Sequence, residues 1–272
     1  MRVIFSLFVI VLAALYKRSV WNFTEQNQKT KIDLLAAVDC AQPKTELEDL
    51  PLTVQRWVAD CGLADRGAIK SVQLKQIGFM RLKPDQQKWM ETEAEQLIST
   101  DPPSFVWTVK VKKNPLLTVI GRDSFKGGKA QMLMKLAAFV PLAQVEDNAK
   151  MNESALQRYL MEMAWHPTAA LFPYVTWKEV DATTAEATMT YQGVTGSATF
   201  YMDKHGELEK VVASRFKDTD EKAQRYPCIA EIKCHVNVHG ITVPSEIEIT
   251  WLLEDGPFTW YKFKVHDVQF SF

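Results

Sequence analysis

Residues 184–216 read TAEATMTYQGVTGSATFYMDKHGELEKVVASRF, and residues 229–270 read IAEIKCHVNVHGITVPSEIEITWLLEDGPFTWYKFKVHDVQF. Runs rich in Val, Ile, Thr, Tyr, Phe and Trp follow one another, divided by Gly193, Gly196, the polar turn Asp203–Gly206, and Gly, Pro, Asp or Asn elsewhere. Such runs are strands with turn punctuation. They lie too close together for crossover helices, so neighbouring strands must be antiparallel. A large antiparallel sheet with one apolar face must cover that face, curl over it or enclose something with it.

The 272 residues are 47% hydrophobic and 24% charged, which is ordinary for a globular chain. Antiparallel folds of this length are commonly one domain. With 32 basic and 33 acidic residues the net charge is -1, which argues against nucleic acid as a partner. Trp89, Trp107, Trp165, Trp177, Trp251 and Trp260 sit inside patterned segments, as core residues or as the lining of an apolar cavity. Cys228 and Cys234 lie six apart on one expected strand, about 20 Å at ~3.3 Å per residue, and cannot bond to each other. With Cys40 and Cys61 they read as buried free thiols.

Val3–Tyr16 is an uncharged apolar run between Arg2 and the pair Lys17-Arg18. Its 14 residues fall short of a ~30 Å hydrocarbon core, but Lys17 and Arg18 can snorkel and Val20, Trp21 and Phe23 can sit at an interface. A cleaved signal and a buried helix are the alternatives; no good cleavage site follows Ala13-Ala14. The expectation is a membrane anchor or uncleaved signal over residues 1–21. Lys17, Arg18, Lys29 and Lys31 against Arg2 favour a cytoplasmic domain by the positive-inside rule. A basic start followed by an apolar core favours export, and an extracytoplasmic domain is the reading adopted.

Residues 22–49 read as a polar tether with a short helix over Ile32–Val38, and residues 50–272 as a single domain. Pro51 opens a helix carrying Val54, Trp57 and Val58 on one face, and Gly62 ends it. Strands are expected over Ala68–Leu82, Lys88–Ile98, Phe105–Lys112, Leu116–Gly121 and Lys129–Val140. Glu91, Glu93 and Glu95 alternate and mark a wet face. The period then changes, and Asn152–Trp165 reads as an inserted helix capped by Asn152 or Ser154 and ended by Pro167. Its apolar stripe is Leu156, Tyr159, Leu160 and Met163.

On that helix Arg158 and Glu162 are four apart and face each other, either as a surface ion pair or as a polar pair turned into a cavity. In the second case Glu162 or His166 could serve as acid or base. Arg122-Asp123 is read as a strand-end pair that stabilises a turn or holds a polar ligand group. Gly127-Gly128 opens no helix and fails as a phosphate loop. His235 and His239 are about 13 Å apart along a strand, and the sequence supplies neither a metal set nor a nucleophile elbow. No cofactor is implied.

The ordered string Leu50-Pro51, Val54–Trp57, Gln76–Met80, Trp89 with Glu95-Gln96, Pro102–Trp107, Gly121–Asp123 and Arg158–Glu162 with Trp165 and Pro167 resembles a bacterial family of unknown function, often with an N-terminal membrane segment. The resemblance covers roughly Leu50 to the C-terminus and brings no activity with it. Its shape is expected to be similar to the curved half-barrel of periplasmic lipoprotein carriers. The expectation is therefore α+β: a large curved antiparallel sheet with helices on its concave side. A concave apolar sheet partly filled by helices suits a lipid or other apolar ligand, bound without catalysis. Ligand contacts are expected from Arg122, Asp123, Arg158, Tyr159, Glu162, Trp165 and His166. Two other classes stay open: a hydrolase-like enzyme using Glu162 and His166 with Arg122 and Asp123, and an envelope protein with a packed core.

Overall fold

A computed structural model describes residues 2–38, 43, 45–63, 66–114 and 117–272. Thirteen strands form one antiparallel sheet. The first wing is β1 (Ser71–Met80), β2 (Met90–Ser99), β3 (Ser104–Asn114), β4 (Leu117–Lys126), β5 (Lys129–Leu136) and β6 (Val140–Glu146). The second is β7 (Val175–Asp181), β8 (Thr184–Tyr191), β9 (Val194–Met202), β10 (Leu208–Phe216), β11 (Arg225–Val238), β12 (Ile241–Leu253) and β13 (Gly256–Ser271). Each wing is built from sequential hairpins, and β1 pairs with β13 to join them, with Val72 opposite Phe270 and Met80 opposite Tyr261. The strands before and after the inserted helix thus form the one large antiparallel sheet expected, closed by this long-range pairing.

The sheet curls strongly. The β4–β5 turn touches the β8–β9 turn, although β4 is third and β9 eleventh in the strand order. Gly128 has φ +78°, and a Cβ there would lie 2.7 Å from Cβ of Gln192, so both conformation and contact call for glycine. Tyr174, ahead of β7, donates to the Thr100 carbonyl beyond β2 at 2.6 Å across the same concavity.

Helices α2 (Leu52–Asp60) and α3 (Ala149–Met161) fill the concave side. Trp57 of α2 packs its ring 5.3 Å from Phe200 and 6.1 Å from Trp177. α3 lies over β9 and β10, where Gly196 lets Gln157 come close. The helix starts earlier than Asn152, because Asn148 is the cap and accepts from the Lys150 and Met151 amides. Asn152 instead accepts from the Ala130 amide at 2.7 Å and ties α3 to β5. After Met161 the chain tightens into 3-10 turns over Glu162–Trp165 and Pro167–Leu171.

Three further expectations are corrected. α1 (Arg2–Leu35) is one continuous helix where a tether was read. Val20, Phe23, Asn27 and Leu34 share one face and pack on the sheet, with Phe23 against Ile120 and Ala138, and Leu34 against Leu97 and Val106. That is the convex face, so only two of the three α-helices are concave. The Lys129–Val140 strand is two strands, divided at Ala137 and Ala138, whose φ values are 48° and 62°. Cys234 is exposed, whereas Cys61 and Cys228 are buried; all three are free, and Cys40 lies outside the described residues.

Among the described residues no helix is long and apolar enough to cross a membrane.

Candidate ligand-binding site

Between α3 and the concave face lies a cavity of about 520 Å³, inside the ~300–1,000 Å³ range of small-molecule sites. Strand alternation builds its walls. In β3, Phe105 and Trp107 point in while Val106 points out to α1, and β12 supplies Ile247, Ile249 and Trp251 from every second position. Met80, Met134, Met151 and Met161 add flexible apolar surface. The rim includes Leu82 and Leu142, which are 48% and 52% exposed.

One polar cluster interrupts this lining. Arg158 Nη1 lies 3.0 Å from Asp123 Oδ2, and Nε lies 2.8 Å from Glu162 Oε1. Gln96 donates to the other Glu162 oxygen at 2.5 Å and accepts from Gln76 Nε2 at 3.1 Å. Trp107 Nε1 and the Tyr261 hydroxyl both donate to Gln76 Oε1 at 3.0 Å. The Arg158 guanidinium sits 4.9 Å from each of the Phe105 and Trp107 rings. Burial pushes the Asp123 carboxyl above its usual range, against the pull of Arg158, and its Oδ1 has no partner. Burial pulls Arg158 down, but Glu162 and Asp123 outweigh it and hold the guanidinium above its ordinary value. The cluster is a partly buried, largely satisfied network, so α3 is keyed into one register over the cavity.

Asp123, Arg158, Glu162 and Trp165 of the expected ligand residues face the cavity. The other three do not. Arg122 is mid-strand in β4, so it points opposite to Asp123 and lies 3.4 Å from Asn27 of α1 on the convex side. Tyr159 is fully buried and reaches the Ser99 and Thr100 carbonyls and Tyr174. His166 is fully buried against Tyr159, and neither ring nitrogen has a hydrogen-bond partner among the described residues. Burial lowers its pKa to about 3, offset only in part by the Glu162 backbone. The four groups of the hydrolase-like alternative therefore do not converge. Among the described residues no group of three His, Cys, Asp or Glu could hold a metal ion.

The sequence reading missed Arg81, Arg215, Gln76 and Gln96. Gln76 and Gln96 stand at inward positions of β1 and β2, and that alternation was available. Nothing local marks the two arginines.

Fold and site together define an α+β half-barrel with an internal, mainly apolar cavity. The chain belongs to the family of unknown function DUF6920, which it matches over residues 48–270. No curated protein matches it. Among solved structures it is similar to the LolA superfamily protein NE2245 from Nitrosomonas europaea, at 11% identity, TM-score 0.44, and coverage of 82% of this chain and 95% of that one. It is more distantly similar to the dehydratase domain from the CurF module of curacin polyketide synthase, at 10% identity, TM-score 0.19, and coverage of 82% and 84%. Neither likeness bears on a ligand.

Proposed function

We propose that the protein binds an elongated lipid-like or other apolar molecule in this cavity and carries it without reacting it. The supporting observation is the cavity of about 520 Å³ between α3 and the sheet, walled by aromatic, aliphatic and Met side chains. A space of this kind gains about 25 cal/mol for each Å² of apolar ligand surface it removes from water. Native mass spectrometry of protein from its own host should show a co-purified apolar molecule, and a fluorescent fatty acid should bind the emptied protein. Ala230 lines the wall from β11, and Ala230→Phe should weaken that probe at least roughly tenfold by filling the space. If the wild-type protein takes up neither a host molecule nor the probe, the proposal fails.

The proposal also holds the protein at a membrane through the apolar start of α1. Tyr16 packs 6.1 Å from Phe139, beside edge strand β6, and Leu142 of β6 is on the cavity rim. The anchored end would thus lie next to the ligand entrance. The full chain should float with lipid vesicles, and replacing Phe5, Phe8 and Val11 by Glu should release it. Equal flotation of both forms, or of neither, would count against the anchor. With the folded part outside the cytoplasm, a membrane-impermeant thiol reagent should label exposed Cys234 in intact cells, whereas protection would reverse the orientation.

A further inference from the structure

Among the described residues seven charged side chains line the cavity: Arg81, Asp123, Arg158, Glu162, Arg215, Lys217 and Asp218. Arg158 is held by Asp123 and Glu162, and Lys217 lies 3.3 Å from Asp218. Arg81 and Arg215 remain, and among the described residues neither has a carboxylate within 4.0 Å. Their places are not independent. Trp251 and Phe258 are cross-strand partners in the β12–β13 hairpin. The Arg215 guanidinium lies 5.6 Å from the Trp251 ring, and the Arg81 guanidinium stacks 4.4 Å from the Trp89 ring and lies 5.6 Å from the Phe258 ring. Arg215 feels the Asp123 charge only from beyond salt-bridge distance, so two cations with no carboxylate in contact flank one aromatic pair on the cavity wall.

Their own bonds leave capacity to spare. Arg215 Nε donates to the Ser154 carbonyl at 3.1 Å, and Nη1 meets only the weakly accepting Cys228 Sγ at 3.6 Å. Arg81 Nη2 donates to the Thr259 carbonyl at 2.8 Å, and its buried Nε has no partner among the described residues. A guanidinium presents five donors in a fork that matches a carboxylate or a phosphate. Both arginines are half-buried, and an anionic ligand group would take up the donors that the protein leaves open.

We propose that Arg81 and Arg215 bind the anionic head of an amphiphile whose apolar chain occupies the cavity. The inference rests on the cavity's being a ligand site, and it names the ligand class. An acyl chain would lie along the Met and aromatic walls, with a carboxylate or phosphate ester at the Trp251–Phe258 end. Rim residue Leu82 follows Arg81 and the half-buried Lys217 lies two residues after Arg215, so the head would sit near the entrance and the chain would enter ahead of it.

The test compares probes of one chain length: palmitate, hexadecyl phosphate and the neutral hexadecanol, each displacing the same fluorescent reporter from the full-length protein. Palmitate or hexadecyl phosphate should bind roughly tenfold or more tightly than hexadecanol, as expected for a charge-assisted hydrogen bond in a sheltered site. Whichever anion binds better identifies the head as carboxylate or phosphate ester. Arg81→Gln and Arg215→Gln should each lower this preference, and the double variant should bring the ratio close to one. Arg215 also bonds α3, but a purely structural loss would weaken all three probes in proportion and leave the ratio unchanged. Equal binding of anionic and neutral probes to the wild type would overturn the inference and leave the apolar cavity reading intact. A preference that survives in the folded double variant would overturn it as well. If none of the three displaces the reporter, the inference and the cavity reading fall together.

Discussion

Trp57→Ala is expected to lower the stability of the fold by about 3–5 kcal/mol, the cost of deleting a large buried aromatic ring. Trp57 is 2% exposed, and its ring completes a cluster with Phe200 and Trp177, which themselves meet edge to face at 5.1 Å. The cluster fastens α2 to β7 and β9 at the outer end of the second wing. Only a space of about 10 Å³ adjoins the ring, so its loss leaves a new void and the cavity term adds to the transfer term. Trp251→Ala removes as large a ring, but Trp251 already borders the cavity. Truncation there widens an existing space and is expected to cost less than Trp57→Ala. Thermal and urea melts of the two variants against wild type are the measurement. Equal losses would mean that the cavity wall is packed as tightly as the α2 cluster, and no loss for Trp57→Ala would mean that α2 is not part of the core.

Much of this architecture can be read from local pattern, and the exceptions share one cause. Strands with a wet outer face declare themselves: Glu91, Glu93 and Glu95 point outward from β2, where Lys112 meets the first two and Lys31 the third. The β5–β6 hairpin does not declare itself. Its turn holds two alanines in the left-handed region, where Gly or Asn would be the usual signal. What supports that turn is tertiary: Ala138 is buried against Phe23, and its carbonyl accepts from the Ser19 hydroxyl of α1. The polar stretch 22–31 is helical for the same reason in reverse, because one narrow stripe of it finds the convex face. Arg122-Asp123 suggested a pair, yet once both are inside β4 the pleat sends them to opposite sides of the sheet. The cavity has no signature at all, since a Trp or Met lining a space and one filling a core leave the same pattern in a sequence. Arg81 and Arg215 become neighbours of one aromatic pair only through the β12–β13 register and the β1–β13 closure.

Arg158→Met should be nearly as damaging as the Trp57 truncation, at about 3–5 kcal/mol, for an electrostatic reason. The Arg158, Asp123 and Glu162 side chains keep only 18%, 23% and 15% exposure, and all three line the cavity. Methionine fills much of the volume of the arginine stem but leaves two carboxylates near each other with no cation in contact, since Arg215 acts on Asp123 only from farther off. Burial already holds the Asp123 carboxyl above its usual range with Arg158 beside it. A carboxyl whose folded pKa lies above its unfolded value favours the protonated folded state, so its destabilising effect grows as pH rises through that pKa and fades on acidification. The deficit of Arg158→Met relative to wild type should accordingly be larger at pH 8 than at pH 5. Neutralising the orphaned acids by adding Asp123→Asn and Glu162→Gln should restore most of the loss, because a buried network replaced as a whole is far less costly than one broken in half. Denaturant melts of the single and triple variants at the two pH values separate these terms. A single variant within about 1 kcal/mol of wild type at both pH values would mean that water in the cavity solvates the carboxylates as well as Arg158 does. A triple variant no more stable than the single one would mean that Arg158 acts through its stacking on Phe105 and Trp107 and not through its charge.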